Sequence, residues 1–64
     1  MVQENKLREI THLAALELLK VAELTNKVHT NLLMRHFAQA RVNLMALIHQ
    51  IGKVRKLIPD EPGE

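Results

Sequence analysis

The stretch TNKVHTN, residues 25–31, decides how the rest of the chain is read. It holds no glycine and no proline, and little in it calls for a core. It is either a turn between two helices or the polar segment of one long helix. Apolar periodicity on each side separates the two readings. Before it, Leu7, Ile10, Ala14, Val21, Leu24, Val28 and Leu32 fall on one helical arc, flanked by Leu13 and Leu18. Charged and polar residues from Asn5 to Lys27 lie opposite, so this half is an amphipathic helix. After it, Leu33, Phe37, Ala40, Leu44, Leu47, Ile51, Val54 and Ile58 recur at the alternating four- and three-residue spacing of heptads. The two arcs do not join on one straight helix, because the stripe jumps between Val28 and Leu33. Thr30 or Asn31 can cap a new helix by accepting a backbone N–H.

The pattern predicts two helices, about 4–28 and 31–58, reversing at Val28–Asn31 into an antiparallel hairpin. The alternative is one continuous coiled-coil helix of about 50 residues, about 80 Å long. Pro59 stops the second helix. Residues 59–64 then read as a flexible acidic tail or linker, which would make the chain the assembly domain of a longer protein.

Composition supports an all-α fold. Apolar residues make up 47% of the 64, nearly all aliphatic, with Phe37 the single aromatic. Strong helix formers dominate, and glycine is absent before Gly52. So short a chain builds a core worth only about 3–5 kcal/mol unless disulfides, a metal or a partner supplement it. It has no cysteine, which fits a cytoplasmic protein and closes the disulfide route. The longest apolar run, LMALI (44–48), is far too short to span a membrane.

Each helix carries more apolar surface than one hairpin seam can cover. The expected intramolecular seam on the second helix is Leu33, Phe37, Leu44, Leu47, Ile51 and Val54. Leu16, Leu19, Met34, Val42 and Met45 are left as a second surface, with Ala38, Ala46 and Gly52 allowing close helix approach. The simplest partner is a second copy, giving a homodimeric four-helix bundle. Another protein's helix could take the same place. Partners are therefore expected to be the chain itself and another protein, without a membrane role.

Charge is segregated. Glu4, Glu9, Glu17 and Glu23 lie in the first 23 residues, and no acid occurs from Leu24 to Pro59. Arg35, Arg41, Lys53, Arg55 and Lys56 suit a nucleic-acid backbone, so a dimeric nucleic-acid-binding regulator is the alternative function. An antiparallel hairpin would instead set Glu9 near Lys53, and Glu4 near Arg55 and Lys56. Arg35, Gln39, Asn43, Gln50 and Lys53 form a polar stripe expected to face solvent. Glu17 interrupts the first apolar arc. It either pairs with Arg41 or Asn43 or reaches water at a bundle edge.

Catalysis is not expected. Serine, cysteine, tyrosine and tryptophan are all missing, and no glycine-rich phosphate loop occurs. His12, His29, His36 and His49 lack the three- or four-residue spacing of helical metal ligands, so neither metal nor cofactor is expected. MRHFAQARVNLMALI (34–48) resembles the phosphoacceptor helix of histidine phosphotransfer and histidine-kinase dimerisation proteins, with His36 in the acceptor place. The acid that usually follows that histidine is replaced by Phe37, and no site is carried over.

Overall fold

A computed structural model describes residues 2–59, with side-chain surroundings from Glu4 onward. Two helices, α1 (Val2–Leu33) and α2 (Phe37–Leu57), fold back on each other as an all-α hairpin. The hairpin measures 51 × 20 × 13 Å. The single continuous rod is thereby excluded. The expected acidic tail lies outside the described residues from position 60 onward.

The reversal falls at Met34–His36, later than the expected Val28–Asn31, which is ordinary helix. Two polar side chains of the TNKVHTN segment are held by other partners, and Thr30 lies inside α1. The Thr25 hydroxyl donates to the Val21 carbonyl one turn back, at 2.8 Å. The Asn31 side-chain oxygen accepts from Asn43 Nδ2 of α2, at 2.7 Å. Neither group is free to start a new helix.

Arg35 makes the turn. Its φ of 60° is the left-handed conformation that closes many helix C-termini. The Arg35 N–H donates to the Leu32 carbonyl at 3.1 Å, and the His36 N–H to the Asn31 carbonyl at 2.8 Å. This pair of bonds is the Schellman closure, here built on arginine where glycine is usual. α2 starts without a side-chain cap. It ends at Leu57, with Ile58 extended as a residue before proline must be. Arg55 and Lys56 in the last turn oppose the helix dipole favourably.

The seam of α1 is Ile10, Ala14, Glu17, Val21, Leu24, Val28 and Asn31, an unbroken heptad run of partly buried residues. It matches the first arc, except that Leu7 and Leu32 stand outside it, about half exposed. The seam of α2 is Ala40, Asn43, Leu47, Gln50, Val54 and Leu57. Of the expected α2 seam, only Leu47 and Val54 belong. Leu33, Phe37, Leu44 and Ile51 are exposed. The apolar residues of α2 centre on a line turned away from α1, so the average apolar direction missed the true contact line. Polar Asn43 and Gln50, expected to face solvent, sit in the seam instead.

Candidate interaction surface

Two polar layers cross the seam. Gln50 is 6% exposed, and its Nε2 donates to both the main-chain carbonyl of Glu17, at 2.9 Å, and its Oε1, at 2.8 Å. Lys20 Nζ donates to the other Glu17 oxygen at 3.1 Å. These bonds satisfy the carboxylate while a quarter of its side chain reaches solvent. The Gln50 amide first, then Lys20, hold the Glu17 carboxyl below its ordinary value. Neither expected partner is the real one: Asn43 is one heptad away from Gln50, and Arg41 lies on the opposite face of the hairpin. Moving the reversal from 28–31 to 34–36 shifts the pairing by about eleven residues, twice the displacement of the turn, which brings Lys53 beside Glu17 and Gln50 within reach of it.

The register change also redistributes charge. Glu4 pairs within α1 to Arg8 at 3.7 Å, so its expected contact with Arg55 and Lys56 is replaced by a local one. Lys53 and Lys56 line a depression beside Leu13 and Glu17, so Lys53 lies by Glu17 where Glu9 was expected. Among the described residues the ion pairs lie within α1.

The hairpin has two unlike faces. On one, Asn26, Lys27, Thr30, Asn31, Gln39 and Asn43 border a polar depression. On the other, Val28, Leu32, Phe37, Ala40, Arg41 and Leu44 border an apolar one. Heptad spacing extends the apolar face from Phe37 and Leu44 to Ile51 and Ile58 on α2, and from Leu32 to Leu18 on α1. All of these are 44–59% exposed. The seam residues Glu17, Asn31, Asn43 and Gln50 lie toward the polar face, whereas Ala14, Val21, Val28, Ala40, Leu47 and Val54 underlie the apolar one.

No family model, curated protein or solved structure matches this chain. Its surface must therefore be read from its own residues.

Leu16, Leu19, Met34, Val42 and Met45, the surface expected from sequence, are all 45–67% exposed. The fold does not gather them. Leu16 and Leu19 lie on the outer side of α1, Val42 and Met45 on the outer side of α2, and Met34 in the turn. The apolar face contains residues that the sequence had assigned to the intramolecular seam. Their uninterrupted heptad spacing was the available signal; what was missing was which of two neighbouring stripes meets α1.

The basic residues are dispersed too. Arg35 is in the turn, Arg41 edges the apolar face, and Lys53 and Lys56 border Glu17. Arg55 lies beside Gly52 and Ile58 near the end of α2. His36 occupies the N-cap of α2 rather than a helical face, so the likeness to a phosphoacceptor helix is lost. Among the described residues no group of three or more His, Asp or Glu side chains converges. No described helix is long and apolar enough to cross a membrane.

Proposed function

We propose that the chain is a non-catalytic protein–protein interaction module, a small helical dimerisation or adaptor domain that associates with a second copy as a four-helix bundle. The observation that carries this reading is the continuous apolar face spanning both helices. The hairpin's own core is slight. Among the described residues Ala40 and Val54 are the buried apolar ones, and no large side chain is fully covered. The chain exposes 5749 Å². A compact monomer of its mass exposes about 4,200 Å². The excess surpasses the roughly 800 Å² that each partner gives to a standard interface. The centre of the α2 apolar arc also points between α1 and the open face, the direction of a bundle axis.

Sedimentation equilibrium at micromolar concentration tests this. The expected result is a species of twice the 7.3 kDa chain mass. A monomer with full helicity and a cooperative melt would sink the reading. Binding to generic duplex DNA that weakens steeply with salt would redirect it to the nucleic-acid alternative.

A further inference from the structure

The two stripes of the apolar face differ in size. On α1 the face presents Thr11, Ala15, Leu18, Ala22 and Thr25, with Leu32 next to the turn, mostly small and all exposed. On α2 it presents Phe37, Leu44, Ile48, Ile51 and Ile58, all large and exposed. The stripes run level. Leu32 and Phe37 border one depression next to the turn. Equal seven-residue steps along both helices then bring Thr25 level with Leu44, and Leu18 level with Ile51. Ala22 falls level with Ile48.

We infer that each α2 seats its large stripe on the small stripe of the partner's α1, with both turns at the same end of the dimer. This rests on the self-association proposed above and specifies its geometry. Two copies can meet face to face about either of two two-fold axes. An axis parallel to the helices places α2 over the partner's α1 and keeps each level aligned, so Ile48 meets Ala22. An axis across the helices places α2 over the partner's α2 and α1 over the partner's α1.

Packing and charge both favour the first. Large side chains set against small ones interdigitate, whereas large against large overfills one seam and small against small underfills the other. Charge acts in the same sense. Full overlap of two antiparallel α2 helices is centred on Leu47 and brings Arg41 level with position 53 of the partner, about half a turn from the partner's Arg55 on the same stripe, a like-charge approach in a seam being dried. The parallel axis sets Arg41 opposite His29 and Arg55 opposite Ala15.

Cysteine cross-linking decides between them, because the chain has no cysteine of its own. Ala22→Cys and Ile48→Cys are made separately, and each is checked by sedimentation under reducing conditions. A disulfide needs Cα atoms within about 7 Å. Oxidising an equimolar mixture should yield, as the main product, the mixed dimer in which position 22 of one copy is bridged to position 48 of the other. Ile48→Cys alone should remain largely uncross-linked. Rapid homodimer formation by Ile48→Cys alone, without mixed product, would overturn the arrangement while leaving self-association intact. A chain that sediments as a monomer would overturn both.

Discussion

Gln50 reaches across the hairpin and holds Glu17 twice from a single amide nitrogen, at its main-chain carbonyl and at its carboxylate. This clamp joins two turns far apart in sequence and sets which turn of α2 lies beside which turn of α1. Slipping α2 by one heptad would put Asn43 or Leu57 in its place and strand the Gln50 amide. Gln50→Ala should therefore lower stability by about 1–2 kcal/mol, the cost of losing a buried hydrogen-bonding group bound to a charged partner. For a chain of this size that is a drop of roughly 4–8 °C per kcal/mol in a thermal melt followed by circular dichroism. The double change Glu17→Leu with Gln50→Leu should recover the melting temperature, since well-packed apolar pairs replace such contacts at little cost. A double variant as unstable as Gln50→Ala would show that the hydrogen bonds themselves, and not the filling of this layer, carry the contribution.

The same clamp makes stability depend on acidity. Its hydrogen bonds hold the Glu17 carboxyl below the ordinary value of 4.5. A group whose pKa is depressed by folding contributes its stability in full above the unfolded value and loses it as pH falls through the folded one. The melting temperature should thus decline below about pH 4.5 more steeply for the native chain than for Glu17→Gln. Parallel pH curves for the two would disprove a role for this carboxylate.

Arg35 holds a left-handed conformation that costs a side-chain-bearing residue about 1–2 kcal/mol. Glycine enters it freely. Arg35→Gly should raise stability by about 1 kcal/mol. A β-branched replacement such as Arg35→Val should lower it. A destabilised glycine variant would mean that the arginine side chain supplies more than the backbone strain it bears.

Gly52 lies inside α2, and a methyl group built on it would meet nothing within 4 Å. It was expected to let helices approach closely, but within the hairpin that space is open. Gly52→Ala should accordingly stabilise the chain by about 0.8–1 kcal/mol through helix propensity alone. Loss of dimer mass in this variant would instead locate a close contact with the second copy at that turn.

Leu44 and Met45 are sequence neighbours on different sides of α2, 44% and 67% exposed. An aspartate at Leu44 enters the apolar face, and an aspartate at Met45 the outer side. Sedimentation should show Leu44→Asp as a monomer and Met45→Asp with its mass unchanged. The reverse result would return the interface to the outer residues Leu16, Leu19, Val42 and Met45.

Read alone, the residues established an all-α chain, pointed to two helices over one rod, and placed the end of the last helix just before Pro59. Those properties follow from periodicity and propensity, which act over a few neighbouring residues. The place of reversal was not legible, because Thr30 and Asn31 fit either a helix cap or a helix interior, and only the arrival of Asn43 at Asn31 and the continuing α1 seam settle that choice. The tertiary structure also decided which of two adjacent stripes on α2 meets α1. An amphipathic pattern reports the mean direction of all its apolar neighbours, whereas the contact line depends on where Gln50 and Asn43 find partners that their own amides must have.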